Sequence, residues 1–408
     1  MIQDYFKETI TGIEQVLAQN PEGPTARKKY ALEIARLGKQ LYSDENTIAW
    51  CGIVVPFDIL HAMGVTSCFV EFVGAVLANL GGVEPALEAA EQNGYSTDIC
   101  SYHRAVNGAA AMGLVPPPDF LIGTNCPCSG SLSTAEHLAH KFDKPLFVLH
   151  VPPKHDAQSI AYLAKQIERM VGFVEAQTGK ALDLQALRQT IDKVNQTRDM
   201  LLEVYQLASH MPTPARRKDM INLGFLMLLL MGSDAGLDLA TAYRDEFKTK
   251  IARKQSGIED EQIRLLWFQN RIQFKTDLEE VLEKEYQTAV VVDELNSITW
   301  EPIDPDAPFE GFAARILSNP VSSPISNRLS NLIRMAKAYQ VDGVIHPGHW
   351  GCRQGTGARG LVESALKAEG LPMLNLDVDC ADPRNFSEGQ LRTRVGAFIE
   401  TIAARKSR

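Results

Sequence analysis

Apolar residues recur along this chain at two different periods. Short unbroken apolar runs near 48–55, 65–72, 119–123, 145–151, 288–293, 341–345 and 373–378 stop at Gly, Pro or Asp, the pattern of strands covered on both faces. Elsewhere the apolar positions fall three or four residues apart, as in Ile160, Leu163, Ile167 and Val171 or Leu187, Ile191 and Val194. That spacing makes one helix face. From 156 to about 285 this second period dominates without a strand signal, so a helical layer is expected there. Residues 1–45 predict two helices about a turn at 20–24. Two further helices are expected at 326–339 and 387–404, and a Pro/Ser-rich connector at 305–324.

Two stretches share one order of elements. A strand at 119–123 leads through Cys126, Pro127 and Cys128 into a helix that ends near 142, then into a strand opened by Pro145. A strand at 341–345 leads through His346, Pro347, Gly348, His349, Trp350, Gly351 and Cys352 into a helix over 357–369, then into a strand behind Pro372. That helix is expected to present Leu361, Ala365 and Leu366 on one face. Loops and helix N-termini converge at the C-terminal ends of parallel strands, which is where open α/β sheets bind ligands. The expectation is therefore an α/β protein with two similar parallel-sheet domains whose cysteine loops face one another. The first domain, with the N-terminal helices, covers 1–155, a helical domain covers 156–285, and the second sheet covers 286–408.

Composition narrows the chemistry. With 408 residues and 45% apolar content there is ample core for two or three domains. A net charge of −9 with no basic run argues against a nucleic-acid partner. The longest apolar run, 223–231, is too short to cross a bilayer, and the first residues read as an amphipathic helix, not a secretion signal. A cytoplasmic protein with no membrane partner is expected. In a reducing compartment the seven cysteines point to metal binding or catalysis, not to disulfides.

Cys68 sits inside an apolar run and is expected as a small core residue. Cys51, Cys100, Cys126, Cys128, Cys352 and Cys380 lie at strand ends or in Gly/Pro loops. A structural zinc site would show paired Cys-x-x-Cys sets, and this chain has none. Thiolates scattered over loops of two domains suit an iron–sulfur cluster held between them. His346, His349 and Trp350 flank Cys352, and His103 and Arg104 follow Cys100, in positions to donate to cluster sulfurs or to a substrate. His103, His346 and His349 are the candidate catalytic side chains, and Arg353 and Arg359 the candidates for a ligand phosphate. Gly355, Gly357 and Gly360 match the dinucleotide fingerprint, with Asp377 at ribose distance. Yet nine residues separate Ile345 from Gly355, where the fingerprint needs an immediate turn. Glycines there let a helix N-terminus approach a bulky negative group.

Gly94 to Tyr102 around Cys100, Pro118 to Ile122 followed by Cys128, Gly351-Cys352, and Asp379 to Arg384 together resemble the 2-hydroxyacyl-CoA dehydratase / benzoyl-CoA reductase family. The likeness runs in chain order from about Ile48 to the C-terminus, most closely to α-type dehydratase and B-type reductase subunits. It implies two flavodoxin-like domains plus a helical one, with a [4Fe-4S] cluster between them on Cys100, Cys128 and Cys352. It also implies a heterodimer with a homologous second subunit (self-association being the alternative) and a separate ATP-hydrolysing iron–sulfur activator that supplies single electrons. The substrate would be a CoA thioester, with Arg104, Trp350 and Arg353 as candidate contacts. The reaction would be radical dehydration of a 2-hydroxyacyl-CoA or reduction of an aromatic ring. Two departures stand out. Ile53 occupies a position before Pro56 where relatives often carry a hydroxyl, and Cys51, Cys126 and Cys380 exceed a three-cysteine set. Six loop thiolates would suit a double-cubane cluster, the alternative within the family. Outside it stand a non-catalytic electron-transfer subunit and a nicotinamide-dependent dehydrogenase.

Overall fold

The computed structural model describes residues 2–20, 23 and 25–407. Eight strands form two four-stranded sheets, parallel throughout. The first comprises β1 (Ile48–Cys51), β2 (Thr66–Phe69), β3 (Phe120–Thr124) and β4 (Leu146–Leu149) in the order β2-β1-β3-β4. The second comprises β5 (Ile263–Trp267), β6 (Thr288–Asp293), β7 (Gly343–His349) and β8 (Met373–Val378) in the order β6-β5-β7-β8. The α/β class is thus borne out. In both sheets the second strand lies on one side of the first and the third on the other. This opens a crevice beyond the C-terminal strand ends at the point of reversal.

The unbroken apolar runs have a physical reason. Every residue of β1, β3, β5, β6 and β7 is buried, while β4 and β8 are partly open. β6 lies at a sheet edge yet is buried, because the helix Arg217–Leu229 packs across it. Large side chains such as Trp50, Phe120 and Trp267 fill the interior, each contributing roughly 1.5–3 kcal/mol by leaving water. The helical layer consists of Ala157–Thr178, Leu184–Ala208, Arg217–Leu229 and Asp234–Ala252. Asp156 and Asp183 cap its first two helices by accepting from Ser159 N–H and Gln185 N–H. The layer touches both sheet units: Leu184–Ala208 packs on Phe57–Ala62, and Ala157–Thr178 on Pro308–Ser318.

Several expectations need correcting. The stretch 156–285 is not helical throughout, because β5 lies inside it. Arg264, the second residue of β5, hides the strand pattern. It is buried only because Glu261, the Tyr339 carbonyl and the Ser209 carbonyl all accept from its guanidinium. The strand expected to end at 345 continues to His349, paired with β8 as far as His349↔Val378. On the helix Arg359–Ala368 the buried face is Val362 and Leu366, while Leu361 is exposed. The connector at 305–324 contains the helix Pro308–Ser318. Helices Ile2–Gln19 and Ala26–Leu41 flank the expected turn at 20–24, of which Pro21, Glu22 and Pro24 lie outside the described residues.

Candidate functional site

A cavity of about 180 Å³ lies between the C-terminal ends of the two sheets. The loops after β1, β2 and β3 bring Ile53 and Val54, Glu71, and Pro127 with Cys128 to its wall. The loops after β5, β6 and β7 bring Gln269 and Arg271, Glu294 and Leu295, and Cys352 with Gln354. Cys100, Tyr102 and His103 reach it from the start of the helix Ser101–Ala111. Three cysteines, two from the first unit and one from the second, therefore face a single space.

Each of these cysteines is the N-cap of a helix: Cys100 of Ser101–Ala111, Cys128 of Ser129–Phe142, and Cys352 of the short Arg353–Gly357. First-turn amides consequently act on the sulfurs. Gly355 N–H donates to Cys352 Sγ at 3.4 Å, and the amides of Tyr102 and His103 bear on Cys100. Those of Gly130 and Ser131 bear on Cys128. Such donors favour a thiolate, but burial outweighs them. Burial, with the neighbouring Cys352 adding to it, pushes the Cys100 thiol up, and burial pushes Cys128 up to about 11. Cys100 and Cys128 ionise readily only when positive charge arrives in the cavity.

Side chains supply a further layer of donors. His349 Nε2 lies 3.2 Å from Cys100 Sγ, and the Cys380 amide donates to its Nδ1 at 3.1 Å. The acceptor role of Nδ1 leaves the proton on Nε2, aimed at the sulfur. Burial lowers the pKa of His349, against the pull of Asp379, so the ring is neutral near pH 7. Gln269 Nε2 lies 3.9 Å from Cys352 Sγ and donates to Gln354 Oε1 at 2.7 Å. Arg328, buried against Glu294, donates to Gln269 Oε1 and fixes the amide's orientation. His103 Nε2 sits 3.9 Å from Cys128 Sγ and 4.0 Å from Glu71 Oε1. Among the described residues its Nδ1 and Glu71 Oε2 are buried without hydrogen-bond partners, and burial lowers its pKa.

A buried charge clamp holds the two units in register. Arg104 donates to Glu91 Oε1 at 2.5 Å and Asp382 Oδ2 at 3.1 Å, and Arg384 bridges the same two carboxylates. Ser101 donates to Asp379, which also accepts from the amides of Ala381 and Asp382 at 3.0 Å. Gly351 lies directly on the Cys100 backbone, where a Cβ would come within 2.2 Å of Cys100 N.

The other expected site residues lie elsewhere. Arg104 belongs to the clamp and does not line the cavity. Trp350 and Arg353 are exposed and outside it. His346 is buried on β7, its Nδ1 3.0 Å from Asn375 Oδ1 and its ring 5.0 Å from Phe268, and it is not brought to the cavity. Cys51 is sealed within β1, Cys126 faces Ser322 Oγ at 3.4 Å, and Cys380 is buried behind His349. None of the three lines the cavity, so the six loop thiols are not gathered around it. Cys68 is buried in β2, as expected. Asp377 is exposed and pairs with Arg359 at 3.3 Å. Among the described residues no three His, Cys, Asp or Glu converge as they would on a single metal ion.

Glu71, Gln269, Arg271 and Glu294 were not anticipated. Each follows a strand end by one to four residues, so a search of strand ends for polar residues finds Glu71 and Glu294. Gln269 and Arg271 stay hidden as long as β5 does.

The fold and cavity define a protein that presents thiols from two parallel-sheet units to one ligand space. The chain belongs to the family described as 2-hydroxyglutaryl-CoA dehydratase, D-component, whose model matches residues 52–402. It is 25% identical to the (R)-phenyllactyl-CoA dehydratase alpha subunit of Clostridium sporogenes, over 88% of this chain and 90% of that protein. Identity to the lactoyl-CoA dehydratase subunit alpha of Anaerotignum propionicum is 24%, over 88% and 91%. One of the benzoyl-CoA reductase subunits of Thauera aromatica matches at 22%, over 78% and 80%. Among the described residues no helix is long and apolar enough to cross a membrane.

Proposed function

We propose that this chain is the cluster-bearing subunit of an enzyme that removes water from a 2-hydroxyacyl-CoA. It would hold a [4Fe-4S] cluster on Cys100, Cys128 and Cys352. A homologous second subunit and a separate ATP-hydrolysing iron–sulfur activator complete the system. What carries the reading is that these cysteines, drawn from two sheet units, line one cavity. The donor set fits such a group: the ligating atoms are thiols, and N–H groups of His349, Gln269 and Gly355 already point at them. The 2-1-3-4 strand order is that of the first four strands of a flavodoxin-like sheet, which supports two such domains with the cluster between them.

A bound cluster supplies single low-potential electrons to the thioester. The chain's own residues do the rest. Dehydration requires a proton to leave the carbon beside the hydroxyl-bearing one, and the hydroxyl to depart with a proton. Glu71 and neutral His103, 4.0 Å apart on the cavity wall, form a pair able to take one proton and deliver the other. Ile53, Val54, Phe225 and Leu228 wall the space with hydrocarbon and keep water from the reacting atoms. One observation favours ring reduction as a second reading: the cavity wall carries Ile53 where a hydroxyl was expected.

The test is iron and acid-labile sulfide per chain on anaerobically purified protein, with a low-temperature spin-resonance spectrum. About four of each are expected, lost on Cys100→Ser, Cys128→Ser or Cys352→Ser. A colourless, iron-free wild type overturns the proposal. Turnover of a 2-hydroxyacyl-CoA in preference to benzoyl-CoA separates the two reactions.

A further inference from the structure

A second cavity, of about 300 Å³, opens on the first sheet unit between the loop at Gly94 and the helices Ser101–Ala111 and Ser129–Phe142. The chemistry proposed above makes no use of it. Its wall carries Tyr95, Asn107, His137 and Lys141. Asn107 is only 4% exposed, and among the described residues its Oδ1 has no hydrogen-bond partner. A buried carboxamide oxygen left this way is costly unless a donor arrives. Among the described residues the side chains of Tyr95, His137 and Lys141 likewise make no hydrogen bond or ion pair. The Tyr95 and His137 rings stand edge to face, 5.5 Å between centroids at 86°. A flat ring can therefore lie on one of them against the edge of the other. Burial, with Lys141 adding to it, lowers the pKa of His137, so Lys141 brings the one full charge among the described residues of this wall.

An acceptor in want of an N–H, two aromatic rings and a free cation together describe an adenine that carries phosphate. Its exocyclic amino group donates to the carboxamide oxygen, as asparagine reads adenine in other settings. The base stacks, and the phosphate meets the ammonium. The place also suits the ligand of the thiol cavity. Asn107 follows His103 by one helical turn on the same face, and His103 lines that cavity. From Tyr95 the chain runs to Cys100 through residues 96–99, all exposed, a span of at most about 20 Å. An extended pantetheine arm crosses that distance. We propose that this second cavity seats the adenine end of CoA while the acyl end lies among the thiols. This rests on the acyl-CoA reading above.

The experiment compares butanoyl-CoA with butanoyl-pantetheine, which share the acyl end, by titration calorimetry on the anaerobically purified full chain with any co-purifying subunit. Butanoyl-CoA is expected to bind more tightly, and ADP to compete with it but not with butanoyl-pantetheine. Asn107→Leu, close to asparagine in size, should weaken butanoyl-CoA and ADP about five- to tenfold, the worth of one hydrogen bond. Butanoyl-pantetheine affinity and iron content should hold. Lys141→Met, at an exposed position, should cost about two- to fivefold, a loss that fades with added salt, and it decides the matter if the leucine variant does not fold. Butanoyl-CoA that binds equally well to wild type and both variants overturns the proposal and leaves the acyl-CoA reading standing. So does ADP that binds beside butanoyl-CoA without competing, which would make the cavity a site for a free nucleotide. If neither ester binds, the acyl-CoA reading falls and this one with it.

Discussion

Gly351→Ala is the sharpest probe of how the two units meet. An added Cβ would sit 2.2 Å from Cys100 N, 2.3 Å from Cys100 Cα and 2.7 Å from the Ile99 carbonyl carbon. Ordinary contact begins near 3.4 Å, so relief needs a shift of 3.4 − 2.2 = 1.2 Å between backbone segments. No flexible side chain can absorb that shift, and the start of the helix Ser101–Ala111 is pinned by Ser101–Asp379 and Arg104–Asp382. Overpacking of this kind costs about 1–3 kcal/mol, which a chain of this size survives. The site is less forgiving, because Cys352 follows Gly351 directly and ligand constellations tolerate only about 0.5 Å. The expected result is a folded protein whose urea midpoint drops modestly and whose iron and sulfide content collapses. Gly357→Ala, with nothing within 4 Å of the new carbon, should retain full iron. If Gly351→Ala keeps both wild-type stability and full iron, the close approach of the two loops does not organise the site.

Arg104→Met takes one of two cations from buried Asp382, Arg384 remaining, and should cost about 1–3 kcal/mol by urea unfolding, against about 0.5 or less for exposed Arg353→Met. Equal losses would refute the clamp. Burial lowers the pKa values of His103, His346 and His349. The unfolded chain therefore takes up protons first as pH falls below about 6.5, and stability present above that pH is lost beneath it. Melting temperature of the iron-free protein should fall between pH 7.5 and 5.5, less steeply in His346→Gln; a flat profile contradicts the burial. Glu71→Gln should keep its iron and lose roughly 10²–10⁴ in turnover, and unchanged turnover removes it from proton transfer. Cys51→Ala and Cys126→Ser should each retain wild-type iron, because neither side chain lines the cavity.

Much of this was legible in the sequence because parallel strands covered on both faces spell themselves as continuous apolar runs. β3 and β7, with their cysteine loops, stood out for that reason, and so did the pairing of the two units. What stayed hidden was hidden by polarity in buried places. Arg264 breaks the apolar run of β5, and only partners drawn from 209, 261 and 339 make its burial tolerable. No local pattern announces contacts at such separations. His346 and His349 are three residues apart and equally buried, yet only His349 reaches a sulfur. Their strand continues past 345, and its pairing with β8 sets which ring the Cys380 amide meets. Arg104 next to a candidate ligand looked like a substrate contact, but the Glu91 and Asp382 carboxylates that claim it are spelled far away along the chain.

The division of the thiols between the two sheets also sets a timetable. During synthesis Cys128 leaves the ribosome 352 − 128 = 224 residues ahead of Cys352. At about 5–20 residues per second that is a lag of roughly 10–45 s. Throughout it the first unit presents two unprotected sulfurs to the cell with no opposite wall. A group held by all three sulfurs could be completed only once translation is nearly finished, so on the proposed function maturation would be a step of its own and the nascent half the form most open to oxidative damage.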